Sequence, residues 1–238
     1  MTSPLVVVHR DANVLAQAVA ARLVASITDA QAARGVASVV LTGGGIGGAT
    51  LRELAATPAR DAVEWSAVDV WWGDERFLPS GHPERNETQA TEALLAHVPL
   101  DLDRVHPMAS SDGDYGDDLD SAAAAYAKEL ADAAPFDLLL LGVGPDGHVA
   151  SLFPGASPPD EAATVIAVRA APKPPPTRLS LTLTAINTAR EIWLIAAGEE
   201  KAAAVQAALS GADLPAAKVS GTQATKWLID RAAASAIA

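Results

Sequence analysis

Phe136-Asp137-Leu138-Leu139-Leu140-Leu141-Gly142-Val143-Gly144-Pro145-Asp146-Gly147-His148-Val149-Ala150-Ser151 is the stretch from which the rest of the chain is read. Four consecutive leucines followed by small residues are the pattern of a central parallel strand covered on both faces. Such a strand delivers the residues after it to the edge of the sheet, and in open α/β sheets the crevice beyond the carboxyl ends of the strands is where ligands bind. The residues delivered here form a glycine-rich turn carrying a carboxylate and an imidazole. Asp146 and His148 are therefore the first candidates for chemistry.

Working outward, strand and helix signals alternate. Leu5 to Val8 reads as a short strand, and Asp11 as the N-cap of a helix whose Leu15, Val19, Leu23 and Ile27 form one apolar stripe. Val36 to Leu41 is a second strand that empties into Thr42-Gly43-Gly44-Gly45-Ile46-Gly47-Gly48, with a helix expected from about Ala49. Strand, glycine-rich turn and helix together present free backbone N–H groups and a positive helix end to an anion. Gly43, Gly45 and Gly48 also meet a dinucleotide-binding spacing, with Asp69 about 20 residues on where a ribose-binding acid would stand. That match is weak, because Asp69 lies inside the apolar run Ala67 to Trp72 and a glycine-dense stretch satisfies many glycine patterns. A phosphate cradle is favoured, with a dinucleotide site and a tight ligand-free turn as the alternatives.

Ala67 to Trp72 is a third strand, left by the charged segment Gly73 to Pro79, expected to be a loop. Asn86 to Leu95 reads as helical, Val105-His106 as a short edge strand, and Ser110 to Asp118 as an acidic surface connection. Leu119, Ala123, Tyr126 and Leu130 stripe the helix that leads into the leucine strand. Beyond it, Phe153-Pro154-Gly155 stops any long helix, so Gly142, Gly144 and Gly147 lack the helix a dinucleotide motif requires. Val165 to Val168 is a strand candidate and Pro172-Lys173-Pro174-Pro175-Pro176 a stiff connection, too short to link two domains. Arg178 to Leu183 alternates apolar and hydroxyl side chains like a half-buried strand, Ile192 to Ala196 is another buried strand, a helix opens at Gly198 to Lys201, and Trp227 to Ile229 is the last strand. The expected fold is α/β: one doubly wound, mainly parallel sheet with helices on both faces, Rossmann-like, forming a single domain over residues 1–238.

The 238 residues are half hydrophobic, enough for a sizeable core, and contain no cysteine, which excludes disulfides and thiolate chemistry. No leader is visible in Met1 to Val8 and no run approaches the roughly 20 apolar residues that cross a bilayer. The expectation is a cytoplasmic protein. A formal charge of −12 argues against nucleic acid or an anionic membrane as partner, although it leaves room for a small phosphorylated ligand. His9, His82, His97 and His106 show no spaced ligand cluster for zinc and are expected in surface or structural roles. His148 itself has a structural alternative, a ring bonded to a nearby carbonyl; Arg178 and Lys201 have the alternative of ordinary surface cations.

Four motifs carry a resemblance that runs through nearly the whole chain: Leu41-Thr42-Gly43-Gly44-Gly45, Trp72-Gly73-Asp74-Glu75-Arg76, Gly142 to Pro154, and Pro176-Thr177-Arg178-Leu179-Ser180-Leu181-Thr182. In them the chain resembles the 6-phosphogluconolactonases, within the larger group that holds glucosamine-6-phosphate deaminase. The resemblance implies His148 as the general base that activates water and Asp146 as the group that orients it. It places Gly43, Gly44, Gly45, Arg178 and Lys201 around a phosphate, with Asp74, Arg76, Asn86 and Gly144 lining the pocket. The family's glycine loop often carries hydroxyl residues where this chain has Ile46 and Gly47, so a phosphate contact here leans on backbone amides. Arg85, before Asn86, replaces a serine common in the family and is read as an extra cation or a surface residue.

The implied substrate is a phosphorylated sugar lactone, opened by water without cofactor or metal, by a monomer or small homo-oligomer. Two competitors are a deaminase or isomerase of an amino sugar phosphate, with Asp74 as base, and a non-catalytic sugar-phosphate sensor. A serine hydrolase is disfavoured by the absence of a Gly-x-Ser-x-Gly elbow.

Overall fold

The computed structural model describes residues 4–133, 135–157 and 160–237; the first three residues of the N-terminal stretch searched for a leader lie outside them. Nine strands and six helices run in the order β1 (Leu5–His9), α1 (Ala12–Arg34), β2 (Ala37–Leu41), α2 (Gly44–Ala56), β3 (Val68–Trp72), β4 (Asp74–Arg76), α3 (Asn86–Ala93), α4 (Leu119–Ala131), β5 (Leu138–Gly142), β6 (Val165–Val168), β7 (Arg178–Leu181), α5 (Leu183–Ile186), β8 (Glu191–Ala196), α6 (Ala202–Leu209) and β9 (Ala224–Asp230) among the described residues.

Six of the strands form a parallel sheet in the order β1-β9-β8-β5-β2-β3, flanked by helices. The leucine strand is central, paired with β2 on one side and β8 on the other. Its side chains alternate between two cores. Leu139 and Leu141 pack with Tyr126 of α4, Ile186 of α5 and Val205 of α6. Leu138 and Leu140 pack with Leu15 and Leu23 of α1 and Leu51 of α2. Burying each such leucine contributes about 1.5–3 kcal/mol relative to exposure, so four in a row make β5 the natural centre of the sheet. Strand order runs outward from β2 to β3 in one direction and from β5 through β8 to β9 in the other. The reversal between β2 and β5 opens a crevice at their carboxyl ends, and Gly142 N donates to Thr42 Oγ1 across it at 3.1 Å.

Helix α1 obeys its sequence signals: Asp11 accepts from Val14 N at 2.9 Å, and Gly35 closes the helix in the left-handed region at φ 79°. Elsewhere tertiary contacts override local reading. Helix α2 begins at Gly44, not near Ala49, so the glycine stretch is its first turn rather than a loop before it. Glycine is a poor helix former, but a Cβ at Gly47 would come within 2.6 Å of the Thr42 carbonyl oxygen, and Gly44 sits at φ 81°. The charged segment after β3 is not a loop: β4 pairs antiparallel with β7, which also pairs with β6, forming a second sheet of three strands that alternation alone did not reveal. Strand β7 is buried at all four residues instead of half-buried, because Ser180 Oγ donates to Leu181 O and Thr182 Oγ1 to Ala163 O, satisfying the hydroxyls internally. Val105-His106 contributes only a single bridge, between Val105 and Val70. Strand β9 lies inside the sheet, between β8 and β1. No helix among the described residues is long and apolar enough to cross a membrane.

Candidate active site

A cleft of about 520 Å³ lies at the carboxyl ends of β2 and β5. Gly43, Gly44 and Gly45 line it from the start of α2, Asp74, Arg76 and Asn86 from β4 and α3, Gly144 and His148 from the turn after β5, and Arg178 and Lys201 from β7 and the approach to α6. Asp146 reaches the cleft through His148. Every sequence-predicted site residue is thus in one place, although they span more than half of the chain.

The turn after β5 is built to hold the imidazole. Gly144 N donates to His148 O and Gly147 N to Gly144 O, both at 2.9 Å, while Gly147 takes φ 83° against the side chain of Leu214. At Gly144 a side chain is excluded, because a Cβ would run into the His148 ring and the Asp146 carboxylate. Asp146 Oδ1 hydrogen-bonds His148 Nδ1 and also accepts from His148 N at 3.3 Å. The Phe153 ring stands 4.8 Å from the imidazole. Burial holds the His148 pKa below its ordinary value, against an upward pull from Asp146 and Asp74; Lys173 adds to the lowering. Burial acts to raise Asp146, but the hydrogen bond and charge of His148 prevail and leave it below the usual carboxylate range. A neutral imidazole donating Nδ1–H to a carboxylate keeps its Nε2 lone pair available.

Opposite charges frame the adjoining residues. Asp74, 8% exposed, accepts from Ser151 Oγ at 2.7 Å and from Asn86 Nδ2 at 3.3 Å. Asn86 Nδ2 also donates to the Asp74 carbonyl at 2.8 Å, and there is no room for a side chain at Gly43 because Asn86 occupies the space. Behind them Glu75 is fully buried at the amino end of α3, accepting from Asn86 N, Glu87 N and Arg76 N at 2.7–2.8 Å. Desolvation raises its pKa despite the nearby Arg85. Arg85 is neither a cleft cation nor a surface residue: it is 2% exposed, donates to the carbonyls of Leu78, Met108 and Ala109, and stands 3.9 Å from Glu75. Its charge neutralises the buried carboxylate that supports α3. Arg76 lines the cleft and donates Nη1 to Glu84 O.

The cleft gathers positive charge in a chain that is acidic overall. Gly43, at the N-cap of α2, makes no side-chain cap hydrogen bond, and Gly44, Gly45 and Ile46 of the first turn line the cleft, where uncapped N–H groups and the positive end of the helix dipole favour an anion. Arg178 is 6% exposed rather than a surface cation; burial lowers its pKa within the always-protonated range. Burial likewise pulls Lys201 below the usual ammonium value, against Glu200. Sequence reasoning missed Lys173, whose signal is its place in the proline run ahead of Arg178, and gave no role to Glu75, Ser151 and Phe153, although all three stand inside the quoted motifs.

The alternatives read for other residues resolve by position. Asp69 is paired with Arg104 at 2.8 Å and lies away from the glycine stretch, so the acid a dinucleotide motif needs is not at this cleft. His106 stacks on Trp71 at 3.8 Å, His9 bonds the Ile229 carbonyl and His97 the Glu92 carbonyl, all structural placements. Among the described residues no group of three or more His, Asp or Glu side chains is placed to hold a metal ion.

Residues 10–227 match the family of glucosamine-6-phosphate isomerases/6-phosphogluconolactonase, and the chain belongs to that family. It is 60% identical to the 6-phosphogluconolactonase of Streptomyces coelicolor over 246 aligned positions, covering 98% of this chain and 94% of that protein. It is 51% identical to the 6-phosphogluconolactonase of Mycobacterium tuberculosis, covering 94% and 95%. A solved structure of 6-phosphogluconolactonase from Trypanosoma brucei superposes with a TM-score of 0.86 at 27% identity, covering the whole of both chains.

Proposed function

We propose that this chain is a cytoplasmic lactonase, one doubly wound domain, that hydrolyses 6-phospho-D-glucono-1,5-lactone to 6-phospho-D-gluconate in the oxidative pentose phosphate pathway. The observation that carries the reading is that His148, tethered by Asp146, shares one cleft with the amide-bearing start of α2 and with Lys201 and Arg178. A base and an anion site in one space suit a molecule with a hydrolysable carbonyl at one end and a phosphate at the other.

In this reading the backbone amides of Gly44 and Gly45, Lys201 and Arg178 hold the phosphate. His148 Nε2 takes a proton from water as the water oxygen bonds to the lactone carbonyl carbon. The bond from that carbon to the ring oxygen then breaks, His148 returns its proton to the ring oxygen, and the carboxylic acid formed ionises to solvent. Asp146 fixes the tautomer and steadies the imidazolium formed in the first step. General base help of this kind is worth about 10²–10⁴ in rate. The demand is modest because a lactone carbonyl is already electrophilic.

Asp74 favours hydrolysis over the deaminase reading. An amino-sugar isomerase would use it as the mobile base, yet both of its oxygens are engaged, by Ser151 and Asn86. The test is a coupled assay with freshly generated lactone, corrected for spontaneous opening, in parallel with glucosamine 6-phosphate and an ammonia assay. Enzyme-dependent lactone opening with no ammonia supports the reading; ammonia release, or lactone opening no faster than in buffer, overturns it.

A further inference from the structure

The guanidinium of Arg178 is occupied in an informative way. Its Nε donates to Pro175 O at 3.1 Å, and its Nη2 donates to Lys173 O at 2.9 Å and to Pro174 O at 3.4 Å. Three successive carbonyls of the proline connection are thus gathered on one buried planar fork, a geometry that lysine cannot reproduce. The connection is closed at its base by Ala171 N donating to Pro176 O at 3.0 Å. Arg178 also lies 5.8 Å from the Phe153 ring, whose other neighbour is His148. The side chain displayed by the held segment is Lys173, which lines the cleft with Lys201.

We propose that Lys173 is a specificity-determining cation for the phosphate of the substrate, and that Arg178 acts additionally as a positioning residue that presents it. This rests on the reading of the cleft as a sugar-phosphate site. Two ammonium groups brought to one cleft repel, and a dianion placed between them relieves the repulsion. Burial lowers the Lys201 pKa against Glu200, and Lys173 lies close enough to add to the lowering. The proline residues reduce the freedom that the segment loses when it is fixed, so the backbone that carries the cation is set in place before ligand arrives.

The test separates this proposal from the lactonase reading by using equilibrium binding as well as turnover. Calorimetric affinities of the wild type, Lys173→Ala and Arg178→Lys are measured for 6-phosphogluconate and for gluconate, and kcat/KM for 6-phosphogluconolactone and for unphosphorylated gluconolactone. Lys173→Ala is expected to weaken 6-phosphogluconate about tenfold, as loss of one charge-assisted contact does, with gluconate unchanged. In an Arg178→Lys background the same substitution should cost less than about threefold, because the segment is no longer held. An equal loss with phosphorylated and unphosphorylated ligands, or no loss, overturns the role of Lys173. A full tenfold loss in the Arg178→Lys background overturns the positioning role. Wild-type binding of 6-phosphogluconate without lactone turnover would sink the lactonase reading and leave this proposal standing on the binding data.

Discussion

Asp146 Oδ1 contacts His148 twice, at the ring Nδ1 and at the backbone N–H, so one carboxylate oxygen fixes both the imidazole and the turn that carries it. This double contact requires two residues of separation and a glycine between them, and Gly147 at φ 83° meets that need. The Asp-Gly-His order is therefore a geometric device as well as a chemical one.

Replacement of His148 by alanine should lower kcat by about 10²–10⁴ while the melting temperature stays within a few degrees of wild type. The check is the lactone assay alongside thermal unfolding. A variant that turns over at the wild-type rate would remove His148 from the chemistry.

The pH profile carries the signature of the same pair. Because burial lowers the His148 pKa below its ordinary value, the neutral imidazole predominates at neutral pH, and kcat/KM should fall on the acid side as the ring protonates. Asp146 stabilises the imidazolium, so Asp146→Asn should shift that acid limb to still lower pH and also depress the plateau, since the tautomer is no longer fixed. Lys173 acts in the opposite sense, and Lys173→Ala should shift the limb upward. Limbs unmoved in both variants would show that another group titrates.

Gly144→Ala tests the packing of the turn. The added methyl meets the imidazole and the Asp146 carboxylate, and relieving that overlap should cost about 1–3 kcal/mol of stability, together with most of the activity. Urea unfolding and the lactone assay measure the two effects; a fully active Gly144→Ala would contradict the turn geometry.

Ser151→Ala removes the donor to a buried carboxylate. Asp74 then loses its bond from Ser151 Oγ while remaining buried, at a cost of about 1–3 kcal/mol. Denaturant unfolding reads the loss directly. Stability unchanged to within error would indicate that Asp74 finds another donor, such as water.

Lys201→Ala should raise KM for the phosphorylated lactone about tenfold with a smaller effect on kcat, the pattern of a lost ground-state contact. Steady-state kinetics decide it, and an unchanged KM would place the phosphate elsewhere.

Much of this was legible in the sequence because it was written in local pattern. Leu138 to Leu141, followed at once by small residues, read as a strand buried on both faces, and the glycines after β2 and β5 suit places where backbone turns sharply or approaches closely. Those two facts place two strand ends and their loops, and with them Gly43 and His148. The tertiary structure decided what local pattern cannot express: that Asp74 to Arg76 finds a partner strand in Arg178 to Leu181, more than 100 positions later, that Arg85 is drawn inside to neutralise Glu75, and that Arg178 commits its hydrogen bonds to a proline segment carrying Lys173. The difference is physical. Side-chain periodicity records how one segment meets solvent and core, whereas pairing between distant strands and the burial of charge depend on which polar groups converge once the chain has closed on itself.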